Sequence, residues 1–265
     1  MQLALSGALR YKYADPFIAS VSFIWWIGFY TAQESLSRQP ALSPLSVVSR
    51  TIRIVFSLSN WIHLLSYYAG VFMFMLVLPP PRELNMSIVL DNPQSEAIRL
   101  DGIPITGGGF MYLLLEVVSG IVLYDFLFFF LHMLLHTPGA WRLHKTHHTH
   151  YIVTAKSVLN HSVIDAILQV VTNIVVQRYN YVTMIIPGYY CTTVKTRLAR
   201  ALHNIIIVAM LTESHANVNT RDHFVLFRRV PSLFPGISRH REHHVQHTKY
   251  RQAFFGYLDH WMSTD

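Results

Sequence analysis

Long apolar runs separated by polar stretches are the dominant pattern of this chain. Phe17–Tyr30 is the first run, Ile52–Leu78 is the second, and Phe110–Leu135 is the third and the strongest. A helix needs about 20 mostly apolar residues to cross a bilayer, and each run reaches or approaches that length. The pattern therefore predicts membrane-spanning helices. The prolines at 79–81 end the second one, because proline cannot continue a helix.

The second half of the chain has three shorter apolar runs, Val163–Val176, Val182–Tyr190 and Ala201–Leu211. None of them is long enough to predict a crossing by itself. Polar, histidine-rich segments flank this region on both sides. They can share one site only if the chain crosses the membrane an even number of times between residues 150 and 213. We therefore expect two crossings there, or none.

The predicted fold class is all-α, a multi-span helical membrane protein. We expect an N-terminal membrane region at 1–109, with two candidate spans and a polar loop at 79–109, followed by a second region at 110–265. Composition agrees with a membrane protein, because 52% of the residues are hydrophobic, only 13% are charged and the mean hydropathy is +0.31.

The net charge of +7 narrows the class of partner. The basic residues are scattered, and no basic groove with interleaved aromatic residues is evident, so we expect no nucleic-acid partner. Cationic loops that face the anionic cytoplasmic leaflet account for the charge better, and the basic segment 221–251 predicts the cytosolic side. The single cysteine, Cys191, excludes both an intramolecular disulfide and a cysteine-based zinc site.

Histidines recur in three motifs at helical spacing. Two of them lie four residues apart at the end of the third apolar run, and "HKTHH" (144–148) and "HREHH" (240–244) share the spacing i, i+3, i+4. Each motif places its histidines on one face of a helix. Neutral imidazoles bind metals, and eight are too many for one tetrahedral zinc ion, so we predict two metal ions. The predicted ligands are His132, His136, His144, His147, His148, His240, His243 and His244.

Two further histidines and one carboxylate are candidates for the same site. His161 and His215 lie where an apolar run meets a polar loop, and we count both as additional metal ligands. Asp125 lies two helical turns before His132 on the same face, so its carboxylate is expected to accept a hydrogen bond from the second ring nitrogen of a ligand. Glu116 is on the opposite face, roughly 24 Å from His132, and is expected to lie outside the site.

The stretch "DFLFFFLHMLLH…LHKTHH…HREHH" resembles the integral-membrane fatty acid hydroxylase and sterol desaturase superfamily, whose pattern is HxxxH, HxxHH and a later HxxHH. The family's acidic residue seven positions before the first histidine is matched by Asp125. Its histidine with a following acid is matched by His161 and Asp165, and its "HAN" stretch by "SHANV" (214–218). The resemblance covers roughly residues 117–264. Three positions depart from the pattern: Met133, Ser162 and Leu258.

The resemblance implies a helical cytosolic cap over a dimetal centre, in a protein that is often found in the endoplasmic reticulum. It implies two iron ions, with zinc as a possible substitute, and dioxygen as a co-substrate. It also implies two electrons from a donor such as cytochrome b5 or a reductase, and hydroxylation or desaturation of a fatty-acyl or sterol-type lipid. An alkyl C–H bond has no acidity to exploit, so a redox metal suits this chemistry.

Three other functions compete with a lipid oxygenase. A membrane zinc hydrolase would usually need a carboxylate base, and there is no HExxH motif, although Glu242 lies inside "HREHH". A metal transporter would carry ligands near the midplane of its spans, whereas these histidines lie at span ends and in polar segments. A catalytically degenerate metal-binding homologue is the third alternative, because of the departures at Met133, Ser162 and Leu258.

Overall fold

The computed structural model describes residues 14–39, 42–57, 61–62, 65, 68–70, 107–150, 152–178, 195–218 and 236–265. Most of the second apolar run, the run Val182–Tyr190, Cys191 and the first half of the basic segment 221–251 lie outside these residues. The described part of the chain is helical and contains no strand, so the all-α prediction is confirmed there.

Eight α-helices and two 3₁₀ turns can be given bounds, and the described residues 61–62, 65 and 68–70 are helical as well. The 3₁₀ turns are His147–Thr149 and Ala155–Leu159. The helices are α1 (Ala14–Arg38), α2 (Pro44–Val55), α3 (Gly107–Leu135), α4 (Trp141–His144), α5 (Val163–Arg178), α6 (Arg197–His215), α7 (Gly236–Gln246) and α8 (Tyr257–Trp261).

Local signals explain where several helices begin. The Ser43 side chain accepts a hydrogen bond from the backbone N–H of Ser46, and Pro44 occupies the first turn of α2, where its missing N–H costs nothing. Thr196 caps α6 in the same way. Helix α3 begins at Gly107, so the predicted polar loop ends earlier than its expected limit at 109.

Helix α3 is the one described helix that is long and apolar enough to cross a bilayer. Its core-facing residues, among them Leu113, Val117 and Tyr124, pack with α6 and with Phe254 of the C-terminal loop. The opposite side of α3 exposes a row of large apolar side chains: Phe110, Leu114, Val118, Val122, Phe126 and Phe130. The first apolar run forms part of α1, which packs against α2 and α6. Further crossings stay a prediction.

Helices α5 and α6 run in opposite directions relative to the histidine-rich end of the molecule. Asp165 at the start of α5 and His215 at the end of α6 both lie at that end. Further along α5, Asn173 donates a hydrogen bond to Asn204 of α6, eleven residues before His215. The chain therefore leaves the histidine-rich end along α5 and returns to it along α6. Both histidine-rich segments can then lie on the same side, which is the condition behind the expectation of two crossings or none.

Candidate metal centre

Five histidines from three segments converge around His132 near the end of α3. The Nε2 atom of His132 lies 3.2 Å from Nε2 of His136, 3.1 Å from Nε2 of His144 and 3.1 Å from Nε2 of His243. His148 has a ligand atom within 4.8 Å of the others. We call His132, His136, His144, His148 and His243 the five-histidine group.

Four more histidines converge around His215 at the end of α6. The Nε2 atom of His215 lies 3.2 Å from Nε2 of His147 and 3.0 Å from Nε2 of His240, whose Nε2 is 3.2 Å from that of His244. We call His147, His215, His240 and His244 the four-histidine group. Every histidine predicted as a ligand belongs to one of the two groups except His161.

Each HxxHH motif is divided between the two groups. Helix α7 lies between them and presents His243 to the five-histidine group and His240 and His244 to the four-histidine group. The "HKTHH" segment also divides, but it is not one continuous helix as expected. Helix α4 ends at His144, and a separate 3₁₀ turn begins at His147. The rings of the neighbouring His147 and His148 lie almost perpendicular to each other, at 89°, as do those of His243 and His244 in α7, at 82°.

Backbone carbonyl oxygens form hydrogen bonds with Nδ1 of three rings, the nitrogen that points away from the centre of each histidine group. Nδ1 of His132, His243 and His215 lies 2.7 Å from the carbonyl oxygen of Arg251, 2.6 Å from that of Lys249 and 2.7 Å from that of Leu211, respectively. A carbonyl oxygen can only accept, so these three rings carry their proton on Nδ1. Their Nε2 lone pairs consequently face into the groups.

Burial keeps the imidazoles neutral. It is the main cause that lowers the pKa of His136 and His215 to about 3 and that of His244 to about 2, and neighbouring histidines add to it. The pKa values of His147 and His243 are also well below the ordinary value, for the same reasons. Neutral rings are the form that binds metals.

The donor geometry fits metal ions. Nε2 lone pairs directed at each other across 3.0–3.2 Å repel, and a cation between them removes that repulsion. Nitrogens bound to one ion at about 2.0–2.1 Å lie roughly 3 Å apart, which matches these separations. Both ring nitrogens of buried His148, and Nδ1 of buried His147, His240 and His244, have no hydrogen-bond partner among the described residues.

Asp165 orients one ring of the five-histidine group. Its Oδ2 accepts from Nδ1 of His144 at 2.8 Å and lies 3.0 Å from Nδ1 of His161, and its Oδ1 accepts from Gln169. Burial by itself raises the pKa of Asp165, but the two facing rings bring it well below its usual range. A charged, fully buried carboxylate thus fixes His144 with Nε2 free for a metal.

His161 is not brought into either histidine group. Its Nδ1 faces Asp165, its Nε2 lies 2.9 Å from the carbonyl oxygen of Val158, and its ring stacks on His147 with 4.3 Å between centroids. It shares a third set of possible ligand atoms with His144 and Asp165. Because protein oxygens already face both of its ring nitrogens, we assign His161 to support of His147 and Asp165 instead of ligation.

Asp125 does not contact a histidine ring, so the expectation for its carboxylate is wrong. It accepts hydrogen bonds from the side chain of Gln252 and from the backbone N–H of Phe254, at 2.7 Å for the latter. Asp125 therefore anchors the C-terminal loop, and Arg251 in that loop provides the carbonyl that holds His132. Glu116 lies away from the histidines, as expected, and accepts two hydrogen bonds from Thr196.

Sequence reasoning missed several groups that hold the ligands. Asp165 has a signal, because it follows His161 by one helical turn, but the family motif alone does not predict that it contacts His144. The backbone carbonyls of Leu211, Lys249 and Arg251 have no signal in the sequence, since every residue has a carbonyl. Trp141 was also missed, and its ring lies 5.2–5.3 Å from those of His136 and His148.

A cavity that is partly open to the surroundings adjoins both histidine groups. His132 and His144 of the first group and His147, His215 and His240 of the second line part of its wall, together with His161. The remaining wall is mostly apolar and comes mainly from α1, α3, α5 and α6, with Val158, Leu159 and Ala253 from outside these helices. It includes Phe23, Phe128, Val170, Ile207, Val208 and Leu211.

The three departures from the family pattern leave the ligands in place. Ser162 accepts a hydrogen bond from the backbone N–H of Asp165 and donates one to the carbonyl of Leu143, so it helps to begin α5. Leu258 is a buried core residue of α8, and Met133 is a half-buried residue of α3. None of the three contributes a ligand atom to either histidine group.

Comparison with known proteins agrees with this geometry. A family model described as fatty acid hydroxylase matches residues 117–264, which include all histidines of both groups. Searches of curated proteins and of solved structures gave no significant match. The family match extends over more than half of the chain, and from this match together with the two histidine groups we conclude that the chain belongs to the fatty acid hydroxylase family.

Proposed function

We propose that this protein is a membrane-bound, oxygen-dependent oxidoreductase that uses two iron ions to oxidise a C–H bond of a lipid. Hydroxylation of a fatty-acyl or sterol-type substrate is the leading reaction, and desaturation is the second. One observation carries the proposal: two groups of buried, neutral histidines open onto a single, mostly apolar cavity. The family match supports oxidation of a lipid in general terms.

The donor set suits iron. The five-histidine group would hold one ion and the four-histidine group the other, through nitrogen atoms only, and imidazole binds iron and zinc alike. When bound, an iron pair supplies the activation of dioxygen that no amino-acid side chain provides. Zinc is expected to bind the same nitrogen atoms in protein that is purified without added iron.

The residues of the chain position the substrate and the ligands. The apolar wall, with Phe128, Val170 and Ile207, binds the lipid and excludes water from it. Asp165 and the carbonyls of Arg251 and Lys249 fix the ligand rings, so that little reorganisation is needed during the reaction. Trp141 packs over His136 and His148 on the five-histidine group and shields their rings.

The setting in the cell is part of the same proposal. The family is associated with membranes, and α3 is apolar along its exposed side, so the cavity is expected to fill from the bilayer. We expect the histidine groups on the cytosolic side of the endoplasmic reticulum, with electrons from cytochrome b5 or a reductase. The basic segment 221–251 motivates the cytosolic assignment.

A zinc hydrolase is less well supported by the described residues. Glu242, the carboxylate inside "HREHH", accepts a hydrogen bond from Gln246 on the outer surface of α7. Asp165, the carboxylate nearest to the ligands, is already bound to His144 and Gln169 and does not line the cavity. The described cavity wall therefore contains no carboxylate that could serve as a general base.

The decisive experiment pairs metal analysis with an oxygen-isotope measurement. Purified wild-type protein is expected to contain about two irons per chain, and the His147→Ala variant, which loses a ligand of the four-histidine group, about one. With ¹⁸O₂ and a donor system, lipid products should carry the isotope if the reaction is hydroxylation, or lack two hydrogens if it is desaturation. Folded protein with almost no tightly bound metal, unchanged by the substitution, would refute the proposal.

A further inference from the structure

A cluster of buried polar side chains lies between α5 and α6, away from the histidines. Asn173 donates to Asn204 Oδ1 at 3.1 Å, and Gln177 donates to Oδ1 of both Asn173 and Asn204, at 3.1 and 2.6 Å. Nε2 of His203 lies 3.1 Å from Oδ1 of Asn173. We call Asn173, Gln177, His203 and Asn204 the amide cluster.

Two helices give similar values for the distance between the amide cluster and the metal centre. Asn204 precedes His215 by eleven residues of α6, which correspond to roughly 17 Å at 1.5 Å per residue. Tyr124, whose ring packs edge-on against that of His203, precedes His132 by eight residues of α3, or roughly 12 Å. The amide cluster is therefore about 12–17 Å from the histidines, at the level of the apolar segment of α3.

Asn173 is the member of the amide cluster that lines the cavity. Its amide nitrogen has two hydrogens, and among the described residues only Asn204 accepts one of them. Asn173 is partly accessible, whereas Gln177 and His203 are buried behind it. One hydrogen-bond donor thus remains for a ligand on a part of the cavity wall that lies away from the two histidine groups.

A role in holding α5 and α6 together does not explain every feature of the amide cluster. Buried polar groups cost free energy unless they are hydrogen-bonded, and polar groups beside an apolar span are especially costly. Nevertheless Oε1 of Gln177 and Nδ1 of His203 have no partner in the described part of the chain. Side chains that only hold α5 against α6 would need no hydrogen-bond donor on the cavity wall. An apolar residue at position 173 would pack between the two helices equally well.

We propose that the amide cluster, through Asn173, binds a neutral oxygen of the lipid substrate, a hydroxyl or carbonyl group, about 12–17 Å from the carbon that reacts. The proposal rests on the proposed function, because it treats the cavity as the substrate site. A neutral group is expected because no cationic side chain lines the described cavity wall. A buried carboxylate without a counter-charge would be far more costly than an alcohol.

The test measures binding and not turnover. Metal-loaded protein is kept free of oxygen, and 1-dodecanol, dodecane and dodecanoate compete with tritiated 1-dodecanol. The wild type should prefer 1-dodecanol, and Asn173→Leu should lower the preference for 1-dodecanol over dodecane roughly 5–10-fold, the value of one lost hydrogen bond. Thr172→Val is the matched control, because Thr172 is the neighbouring polar residue of α5, its hydroxyl donates to the carbonyl of Leu168 in the same helix, and it does not line the cavity, so the preference should stay unchanged.

Three results would overturn the assignment: no preference for the alcohol in the wild type, an unchanged preference in Asn173→Leu, or an equal loss in both variants. A measurement on the wild type alone covers the case in which Asn173→Leu does not fold. A photoreactive diazirine next to the hydroxyl of 1-dodecanol should label peptides of α5 or α6 around the amide cluster, and labelling at 132–148 instead would contradict the proposal. If the protein binds 1-dodecanol but holds no iron, the proposed binding site at Asn173 is supported and only the oxygenase proposal is refuted.

Discussion

Replacing Asp165 with asparagine removes one negative charge beside the metal centre and leaves the side-chain volume almost unchanged. In the native protein, Oδ2 of Asp165 accepts from His144 at 2.8 Å and lies 3.0 Å from Nδ1 of His161, while Oδ1 accepts from Gln169 at 3.0 Å. Asparagine has a single acceptor oxygen, so it cannot keep all three contacts.

Both orientations of the new amide weaken the metal site. If its NH₂ group faces His144, Nδ1 of that ring has to accept, and the proton moves to Nε2, where it blocks the lone pair needed for a metal. If its oxygen faces His144, the hydrogen bond persists without its charge. Loss of such a supporting contact typically lowers metal affinity 10–100-fold, or about 1.4–2.7 kcal/mol.

The effect should be confined to one of the two ions. His144 belongs to the five-histidine group, and none of the ligands of the four-histidine group has a hydrogen bond to Asp165. Titration of metal-free protein with cobalt(II), followed by its visible absorption against a competing chelator, should reveal one weakened and one unchanged site. Asp15→Asn is the matched control, because that carboxylate pairs with Arg200 at the far end of α6.

Two results would contradict this reasoning. Unchanged affinity at both sites would mean that Asp165 does not orient His144 for a metal. Equal weakening of both sites, with the control unaffected, would mean that the two histidine groups do not act as separate sites.

Three further predictions concern the same framework. His243→Ala and His240→Ala, although three residues apart, should each remove a different ion. Electron paramagnetic resonance of the two iron- or cobalt-loaded variants should therefore give two distinct residual signals. Identical signals would contradict the division of the motif between the two histidine groups. Glu34→Ala should lower the unfolding temperature by roughly 2–8 °C, because Oε1 of Glu34 accepts backbone hydrogen bonds from Ala155 at 2.8 Å and from Asn217 at 2.7 Å. The control Glu242→Ala on the surface of α7 should change it little, and equal shifts would refute that role. Removal of metal with a chelator should lower the unfolding temperature by about 10 °C, reversibly on adding metal back, and no change would argue against tight binding.

Helical spacing was sufficient to predict which histidines gather at the candidate metal centre, but not their division between the two groups. The i, i+3, i+4 pattern indicates which side chains share a face, and His240, His243 and His244 do share one face of α7. Which group each of them joins depends on how α7 lies between His132 and His215, and this is set by tertiary packing.

Two errors of sequence reasoning have simple physical causes. Asp125 is on the correct face of α3, but helical periodicity does not reveal that Gln252 and the backbone of the C-terminal loop occupy its carboxylate. The three glycines at 107–109 predict a loop, yet α3 starts at Gly107, because a propensity cost of about 1 kcal/mol per glycine is a weak signal that tertiary packing can override.

The division of the motifs determines when the metal centre can form during synthesis. The five-histidine group needs His132 and also His243, and the four-histidine group needs His147 and also His244. At ribosomal rates, roughly ten seconds separate the emergence of the first ligands from that of the last. Until then, both groups are incomplete sets of exposed imidazoles, so tight metal loading should be a late event, after α7 has docked between α3 and α6.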